Sequence, residues 1–461
     1  MTRIGIRVLV FLLIAGNSVM VHAQSDWKEL ISGNKLSNWE LVNGKAPFRV
    51  EDGVLIGTAV TDSPNSFLAT KETYTDFILE FEVYCDTQLN SGILVRSNSY
   101  DDYMDGRAHG YQVEIDPSDR AFSGGIYDEA RRGWMYPLSR NTKAMPAFKM
   151  SAWNKFRIEF IGNTLNTWIN GVQCARLVDD LTSEGFIALQ IHSIGNDKSL
   201  EGAKVKWKNI RIATTNLEHL RWETDPTVVE LSFLDNKLSD YEKDHGWRLL
   251  WDGKTSNGWK GAKLDGFPES GWEIENGELT VLATDGGEAA GPGDIITTES
   301  FSDFELIVDF RITEGANSGI KYFVDPELNK AEGSAIGCEF QILDDRQHPD
   351  AKMGVQGNRT IGSLYDLITA ENLSVPGRSK QFKGVGQWNR ARIVSKNGHV
   401  EHWLNNEKVV EYDRFSQIFK ALVAYSKYQK WENFGRIPEG PILLQDHGNT
   451  VSFKNIKIRE F

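Results

Sequence analysis

Short stretches in which apolar and polar residues alternate follow one another along most of the chain. In GYQVEID, at residues 110–116, Tyr111, Val113 and Ile115 point to one side of the predicted strand and the polar residues point to the other. Other runs of this kind are FILEFEVY, GILVRS, KFRIEFIG, TLNTWING, FIALQIH and VKWKNIRI, and Asn-Gly and Asp-Gly turns separate many of the runs. Many short strands with glycine-rich turns predict an all-β protein built as sandwiches or jelly rolls.

The same ordered set of residues occurs in both halves of the chain. The matching pairs are Trp27 and Trp247, Gly33 and Gly253, Trp39 and Trp259, Asn90 and Asn317, Tyr127 and Tyr365, Trp153 and Trp388, and Trp168 and Trp403. The order is kept while the spacing between the pairs grows, which indicates a tandem duplication with insertions in loops. The largest insertion is expected between Trp403 and His447.

The duplication divides the chain into two predicted domains. Residues 24–214 are expected to form the first jelly roll and residues 246–461 the second, around a linker at residues 215–245. In the linker, Asp225 is the predicted cap of a helix that Pro226 opens. The apolar residues that recur at helical spacing are Leu231, Leu234, Leu238 and Tyr241, up to about Lys243. The sequence therefore predicts two tandem sandwiches joined by a short helical linker.

The first 23 residues have the pattern of a signal peptide. Arg3 and Arg7 precede a short apolar core, and small residues at Val21 and Ala23 favour cleavage after Ala23. The apolar run is too short to span a bilayer comfortably, so a signal anchor is the weaker alternative. The mature protein is therefore expected to be exported, to the periplasm or the medium, without a transmembrane segment.

Charge and cysteine content exclude several classes of protein. The formal net charge of −13 argues against a nucleic acid partner, because phosphates would be repelled. Cys85, Cys174 and Cys338 are odd in number and far apart, so they indicate neither a disulfide framework nor a zinc site. No metal site or cofactor is predicted. Calcium at Asp101-Asp102 or Asp344-Asp345 is a weaker alternative than two solvated acidic loops.

The polar side of the strand at residues 110–116 carries Gln112, Glu114 and Asp116. The alternation of the strand by itself is equally compatible with a solvated outer sheet surface and with a functional site. Four further candidates lie on the preceding strand or follow in sequence, namely Arg96, Tyr127, Arg131 and Trp134. Aromatic faces stack on sugar rings, and charged or amide groups bind hydroxyls, so the combination favours a sugar-binding site.

The second copy repeats this strand with altered chemistry. Glu339 and Gln341 stand where Gln112 and Glu114 stand, so acid and amide are exchanged. Lys321 takes the place of Leu94, and Tyr365 the place of Tyr127. If both copies form sites, the two sites are not chemically equal.

Two histidines recur at matching places. His192 and His447 each follow a glutamine in an LQxH run, where alternation puts Gln190 beside His192 and Gln445 beside His447. A lone histidine is more often structural than catalytic. Because each histidine recurs beside a glutamine, the catalytic and the structural interpretations have equal weight here.

A third pattern points to a different enzyme class. Residues 114–119, Glu114-Ile-Asp116-Pro-Ser-Asp119, are close to the E-x-D-x-x-E row in which jelly-roll β-glucanases place their paired carboxylates. The match is weak, because the last residue is Asp, Pro117 breaks the strand, and the second copy lacks the row.

Taken together, the repeated runs resemble a known family, the 3-keto-disaccharide hydrolase domain. The resemblance rests on W-x5-G-x5-W at the start of each copy, NSGI, GYQVEIDPSDRAFSGGIYDEARRGWMYP, WNxxRI with WLNN, and GPILLQDHG with FKNIKI. It covers nearly the whole mature chain, twice. It implies a concanavalin A-like jelly roll and cleavage of the glycosidic bond of 3-keto-glucosides or 3-keto-disaccharides.

The implied reaction can be matched to residue types. A ketone at C3 acidifies the proton on C2; a base removes it, the enolate expels the C1 substituent, and water adds afterwards. The candidates are His192 or His447 for the base, Arg96, Arg131 or Lys321 for the enolate oxygen, and Glu114 or Glu339 for the leaving group. Further candidates are Tyr127 and Tyr365 in catalysis, and Gln112, Asp116, Trp134, Gln190, Gln341 and Gln445 in substrate binding.

Three functions remain open at this point. The first is an exported hydrolase or lyase that acts on an oligosaccharide or glycoside carrying a 3-keto group. The second is a carbohydrate-binding protein without catalysis, because jelly rolls also form lectins. The third is a retaining glycosidase. The sequence does not predict an oligomeric state.

Overall fold

The computed structural model of the chain describes residues 26–284, 293–330 and 333–461. The predicted signal peptide, residues 1–23, lies outside the described residues. The first copy and the linker contain sixteen of the described strands. They are β1 (Trp27–Glu29), β2 (Trp39–Val42), β3 (Phe48–Glu51), β4 (Val54–Thr58), β5 (Ser66–Thr70), β6 (Phe77–Cys85), β7 (Ser91–Asn98), β8 (His109–Ile115), β9 (Ile126–Glu129), β10 (Gly133–Tyr136), β11 (Trp153–Ile161), β12 (Thr164–Ile169), β13 (Val172–Val178), β14 (Phe186–Ile191), β15 (Lys204–Ala213) and β16 (Leu231–Ser232).

These strands form two sheets that pack face to face. The large sheet has the order β16-β13-β12-β11-β6-β15-β4-β3, with β1 paired to β15. The small sheet has the order β10-β9-β8-β7-β14-β5-β2. One apolar core lies between the two sheets, with Phe81 and Phe156 from the large sheet and Tyr111 and Val113 from the small sheet. The predicted jelly-roll sandwich is confirmed.

The second copy repeats this arrangement among the described residues with one strand fewer in its large sheet and two fewer in its small sheet. Its strands are β17 (Arg248–Leu249), β18 (Trp259–Gly261), β19 (Trp272–Glu275), β20 (Glu278–Val281), β21 (Ile295–Thr297), β22 (Phe304–Ile312), β23 (Asn317–Asp325), β24 (Ile336–Leu343), β25 (Asn389–Lys396), β26 (His399–Leu404), β27 (Glu407–Asp413), β28 (Leu443–Leu444) and β29 (Val451–Glu460). The large sheet has the order β19-β20-β29-β22-β25-β26-β27, with β17 paired to β29, and the small sheet has the order β18-β21-β28-β23-β24.

Several recurring sequence motifs are explained by contacts that both copies make. The indole nitrogen of Trp39 donates to the carbonyl oxygen of Leu30 at 3.0 Å, and that of Trp259 donates to Leu250 at 2.9 Å. The hydroxyl of Ser91 donates to the carbonyl oxygen of Gln190 across the small sheet at 2.6 Å. The repeated tryptophans and NSG runs therefore fix the scaffold of each copy.

The paired asparagines act in the same way. Asn170 has a left-handed backbone, φ 51°, in the turn after β12, and its side chain bonds both the amide of Lys155 and the side chain of Asn154 at 2.9 Å. Asn405 repeats the conformation at φ 48° and bonds Asn389 at 2.7 Å. Asparagine suits this position because it tolerates the left-handed region and its amide bonds nearby backbone.

Helices are short throughout the described residues. The α-helices are α1 (Leu217–Leu220), α2 (Asp240–Asp244) and α3 (Gln417–Ala424), and the 3-10 helices are Leu138–Arg140, Thr142–Ala147, Pro349–Lys352 and Lys427–Lys430. Among the described residues, no helix has both the length and the hydropathy needed to cross a membrane. The three cysteines are free, buried thiols, and burial raises the pKa of each to about 12.

The predicted linker helix from Asp225 to Lys243 is wrong. Leu231 and Ser232 form β16, which pairs in parallel with β13 of the first copy, and Leu231 enters the core of that copy. The helix begins only at α2, where Ser239 and Glu242 form a capping box. Burial of Leu231 in the core of the first copy outweighs the helical periodicity of the linker, because most helical stability comes from packing.

The two copies contact each other directly. The side chain of Asn406, in the turn between β26 and β27, donates to the carbonyl oxygen of Met135 in β10 at 3.0 Å. The guanidinium of Arg140 lies 4.6 Å from the ring of Trp403. Val375 of the second copy packs against the apolar core of the first. The edge of the first small sheet is therefore covered by the second copy.

Candidate functional site

A cavity of about 450 Å³ lies over the small sheet of the first copy, on the face away from the core. Strand alternation creates this division, because Tyr111, Val113 and Ile115 of β8 point into the core whereas Gln112 and Glu114 line the cavity. Six predicted residues of the first copy meet there, namely Gln112, Glu114, Tyr127, Trp134, Gln190 and His192. The site is therefore built from β8, β9, β10 and β14.

Glu114 is the acid among these six residues, and 4% of its surface is exposed. Its carboxylate accepts hydrogen bonds from Asn90 at 2.7 Å, from Gln112 at 3.0 Å and from Arg120 at 3.3 Å. Burial nevertheless raises the pKa of Glu114 to about 7, because loss of solvent outweighs these bonds. A carboxyl group with this pKa both donates and accepts a proton near neutral pH.

Two amide side chains beside Glu114 have unused hydrogen-bonding capacity. Among the described residues, nothing donates to Gln112 Oε1, and neither amide atom of Gln190 has a partner. Gly92 of β7 makes room for Gln112, because a Cβ at Gly92 would lie 2.5 Å from Gln112 Cδ. Buried amides without protein partners are suited to ligand hydroxyl groups.

His192 follows β14 and lies at the cavity with a defined tautomer. Its Nδ1 lies 2.7 Å from the carbonyl oxygen of Ser193. A carbonyl oxygen only accepts, so in the neutral imidazole Nδ1 carries the hydrogen and Nε2 carries the lone pair. His192 therefore presents a basic nitrogen, as a general base requires.

The aromatic wall of the cavity consists of Tyr127 and Trp134. Their rings meet edge to face at 5.4 Å, and the guanidinium of Arg120 lies 5.0 Å from the ring of Trp134. Burial raises the pKa of Tyr127, with Glu129 and Glu114 adding to the effect, so its hydroxyl stays protonated and acts as a donor. The wall offers apolar ring faces and one phenol to a ligand.

The predicted role of Arg96 in substrate binding is wrong. A β-bulge in β7 gives Arg96 a left-handed φ of 43° and turns its side chain to the opposite face from the one that alternation predicts. The guanidinium stacks on Phe160 at 3.6 Å and donates to the carbonyl oxygens of Thr75 and Gly162. Arg96 is a structural residue of the core.

Asp116 and Arg131 lie beside the cavity without lining it. The carboxylate of Asp116 accepts from Arg120 at 2.7 Å and from the amide of Phe122 at 3.2 Å. Arg131 donates to Asp128 and to Thr182. Their predicted contact with substrate is not supported by this geometry; Asp116 instead orients Arg120, which does line the cavity.

In the second copy, Glu339, the acid at the position of Gln112, forms an ion pair inside the protein. Glu339 lies in β24 opposite Lys321 of β23, with the carboxylate 3.9 Å from the ammonium. Lys321 also bonds Ser334 and, at 3.1 Å, the carbonyl oxygen of Ala335. Lys321 lines a separate cavity of about 210 Å³, together with Tyr428 and Trp431 of the large insertion.

The remaining candidates of the second copy also lie outside the cavity of the first. The hydroxyl of Tyr365 donates to Asp350 at 2.8 Å. The ring of His447 lies 5.9 Å from that of His348. Gln341 lies opposite Gly319 in the small sheet, and the backbone amide of Gln445 donates to Gly319 at 3.0 Å. The structure therefore does not join the two sets of candidates into one site.

The paired-carboxylate alternative does not match the geometry. Strand β8 ends at Ile115, and Asp119 is exposed in the turn that follows, outside the cavity. The row of carboxylates that a jelly-roll retaining glycosidase places along one strand is therefore not formed at Glu114, Asp116 and Asp119.

Of the two acidic pairs considered for calcium, Asp101-Asp102 is exposed, whereas Asp344 and Asp345 have protein partners. Asp345 pairs with Lys380 at 3.0 Å, and Asp344 accepts from the backbone amide of Gly315 at 2.8 Å. Among the described residues, the group with ligand atoms close enough for a metal is His399, Glu401 and Glu411. Lys408 bonds both glutamates of that group, so a cation already occupies the position.

Sequence patterns missed part of the cavity. From the first copy it includes Arg107, Arg120 and Glu129. Arg132, which adjoins the predicted Arg131, also lines the cavity. From the second copy it includes Arg378, Gln381, Phe382, Lys383, Asn405 and Glu407. Apart from Asn405, which belongs to the WLNN run, no local pattern marks this second group, because its place depends on how the two copies pack together.

Two copies of one jelly roll, with a polar cavity over the small sheet of the first, define a tandem β-sandwich protein whose first copy has a cavity suited in size and polarity to a small polar ligand. The chain belongs to the family of 3-keto-alpha-glucoside-1,2-lyase-like domains, whose model matches residues 26–213 and again residues 246–459. The two matches confirm both the predicted family and the tandem duplication.

Similar proteins are found in species of Bacteroides and Parabacteroides. The chain is 37% identical over 234 residues to a 3-keto-disaccharide hydrolase of Bacteroides thetaiotaomicron, a match that covers 46% of this chain and 78% of the relative. A solved structure of a candidate glycosyl hydrolase from Parabacteroides distasonis is 30% identical, with 49% of this chain and 99% of that chain covered and a TM-score of 0.43. A second one from the same organism is 25% identical, with 47% and 99% covered and a TM-score of 0.35.

Proposed function

We propose that the chain cleaves the glycosidic bond of 3-keto-glucosides or 3-keto-disaccharides, and that the reaction takes place in the cavity of the first copy. The observation that carries the proposal is that His192, with its lone pair on Nε2, and Glu114, with a pKa of about 7, line the same cavity. Family membership and the hydrolase from Bacteroides thetaiotaomicron support the substrate class.

The lining of the cavity suits a sugar. Trp134 and Tyr127 offer ring faces and edges to the C–H surfaces of a pyranose, and Gln112 and Gln190 offer amide groups to hydroxyls. The volume of about 450 Å³ falls within the range of roughly 300–1,000 Å³ that is usual for small-molecule sites. These features favour one or two sugar rings as the occupant.

The chemistry begins at C2 of the keto sugar. His192 Nε2 takes the C2 proton, and the electrons of the C2–H bond move toward the C3 oxygen to form an enolate. The enolate then expels the substituent at C1; Glu114, in its protonated form, gives a proton to the departing oxygen. Water adds to the resulting C1–C2 double bond and restores the free keto sugar. In this last step, ionised Glu114 takes a proton from the water whose oxygen adds to C1, and protonated His192 returns its proton to C2, so both groups regain their starting states.

Export belongs to the same proposal. The signal-peptide pattern of residues 1–23 supports delivery to the periplasm or the medium, where glycosides from outside the cell are met. Fractionation of the native host, with N-terminal sequencing of the recovered protein, tests this: export predicts a chain that begins after Ala23. A full-length chain in the cytoplasm contradicts it.

The experiment for the activity uses two substrates that differ at one carbon. A 3-keto-glucoside with a coloured aglycone and its parent glucoside are each incubated with the full-length protein, and release of the aglycone is followed. Release from the keto sugar alone is the expected result. Cleavage of both sugars indicates a glycosidase instead, and binding without release indicates a carbohydrate-binding protein; either result overturns the proposal.

A further inference from the structure

A segment of the second copy forms part of the wall of the first copy's cavity. This covering segment, residues 371–388, leads into β25, and Val375 anchors it against the core of the first copy. Arg378, Phe382 and Lys383 of the segment line the cavity together with Glu114 and His192. The cavity is therefore shared between two domains that each have their own core.

Buried polar contacts hold the covering segment in one place. Asn372 donates to Glu407 at 2.6 Å, and Arg378 donates to the same carboxylate at 3.1 Å. Nearer its end, the amide of Lys383 donates to Asn389 at 2.9 Å. Glu407 is 1% exposed and the asparagines are buried, so the segment has the support that a preorganised site requires.

Lys383 is the cation of this segment that the protein leaves unpaired. No hydrogen bond or ion pair joins its ammonium group to another of the described residues, and its side chain is half-buried. Burial, together with Arg132 and Arg390, lowers the pKa of Lys383 to about 8, against the opposing effect of Asp309 and Asp128. The protein thus holds a lysine beside other cations without a carboxylate partner.

The neighbouring arginines are already engaged. Arg132 donates to Asp128 at 2.5 Å and to Asp179 at 2.6 Å. Arg378 donates to Glu407 and to Gln381. The other two arginines of the cavity also have carboxylate partners, since Arg107 donates to Glu129 at 3.0 Å and Arg120 donates to Asp116 at 2.7 Å. Among the described residues, Lys383 is therefore the cation at the cavity without a carboxylate partner, and a ligand oxygen is the partner it lacks.

We propose that Lys383 of the second copy donates to the C3 oxygen of the sugar bound in the first copy, so that the two copies together form one catalytic site. The inference rests on the proposed function, which needs a cationic donor where the enolate charge develops. The basic residues that the sequence offered for this role, Arg96, Arg131 and Lys321, all have partners elsewhere.

The contact works through charge and hydrogen bonding alone. In the ground state, the ammonium donates to the neutral ketone oxygen; when His192 removes the C2 proton, that oxygen becomes an anion and the interaction strengthens. No covalent bond to lysine is formed, and no additional reactant is needed. The second copy would then serve catalysis although its own acid, Glu339, lies paired beside Lys321.

The test compares full-length variants on the coloured 3-keto-glucoside. Lys383→Met should lower kcat/KM by about 10²-fold or more, in line with the loss of one oxyanion donor. Lys383→Arg keeps the charge and should recover a large part of that loss. Lys383→Gln serves as a second neutral variant should the methionine disturb folding. Lys254→Met, at an exposed lysine of the second copy, is the matched control and should change nothing.

Binding gives a readout that is independent of turnover. In a His192→Ala background, addition of Lys383→Met should weaken binding of a methyl 3-keto-glucoside by about tenfold or more, a factor worth about 1.4 kcal/mol. Binding of the parent methyl glucoside, which lacks the ketone, should change much less. If the wild type cleaves the keto sugar while Lys383→Met does so within threefold of it, Lys383 is not the donor and the proposed function stands. If the wild type releases no aglycone, the proposed function itself fails, and this inference with it.

Discussion

Burial of Glu114 raises the pKa of its carboxyl group, and for the same reason the ionised form of this group destabilises the fold. The side chain is 4% exposed, and removal from water raises its pKa from 4.5 to about 7 in spite of three hydrogen-bond donors. A carboxylate kept half-protonated in this way is useful as a proton donor, but its ionised form is poorly solvated. The environment of Glu114 therefore favours proton transfer at the expense of stability.

The dependence of stability on pH follows from this shift. The folded-state pKa of Glu114 lies above the unfolded value, so its contribution to stability is fully present below pH 4.5 and is lost as the pH rises through 7. Glu114→Gln has no such dependence. Relative to the wild type, the variant should gain roughly 3 kcal/mol in unfolding free energy between pH 4.5 and pH 8.5.

Urea unfolding of both proteins at the two pH values measures this change. The groups facing Glu114, such as Arg120, Asp116 and Tyr127, are present in both proteins, so their own titration largely cancels in the comparison. An equal difference in stability at pH 4.5 and pH 8.5 would show that the carboxyl group titrates normally and has no special role.

At the scale of single elements, the β-bulge in β7 and its repeat in β23 decide which side chains reach the site. Arg96 and Phe323 occupy these bulges with φ of 43° and 50°, and both side chains are buried. One extra residue in a strand reverses the alternation of side chains beyond it. The bulge therefore converts a predicted ligand contact into a core contact.

Replacement of Arg96 tests this structural role. Arg96→Met leaves the carbonyl oxygens of Thr75, Gly162 and Phe160 without their donor, and should reduce the unfolding free energy by about 2–4 kcal/mol. KM for the keto sugar should stay within twofold. Thermal unfolding and steady-state kinetics provide the two measurements, and Arg49→Met, at an exposed arginine, is the control. A raised KM with unchanged stability would indicate that Arg96 binds substrate and does not have the structural role.

Strand alternation predicted a substantial part of the site, and its failures have physical causes. Gln112 and Glu114 share a face, as do Gln190 and His192, because β8 and the end of β14 are regular there. Alternation places Arg96 on the wrong face of β7, because the β-bulge reverses the alternation there. No residue type in the sequence identifies the position of this bulge, and an arginine can lie on either face of a sheet. The spacing of the linker leucines is compatible with a helix or a strand. Leu231 lies in a strand because the edge of β13 offers backbone groups for pairing, which the linker sequence alone does not show.

At the scale of the whole molecule, duplication produced two unlike halves. The copies share strand order and the asparagine and tryptophan contacts, yet only in the first does an acid occupy the Glu114 position. In the second, Gln341 stands there and Glu339 faces Lys321. The covering segment had no signal in the sequence, because the contact between the copies involves residues far apart in the chain.

The central claim is that the first copy, covered by the second, holds the catalytic base. The most direct measurement is the rate of aglycone release from the 3-keto-glucoside by the wild type, His192→Ala and His447→Ala. His192→Ala should lose at least about 10²-fold in kcat, as expected for removal of a general base, whereas His447→Ala should stay within twofold of the wild type. Full activity of His192→Ala, or loss of activity in His447→Ala alone, would contradict the account.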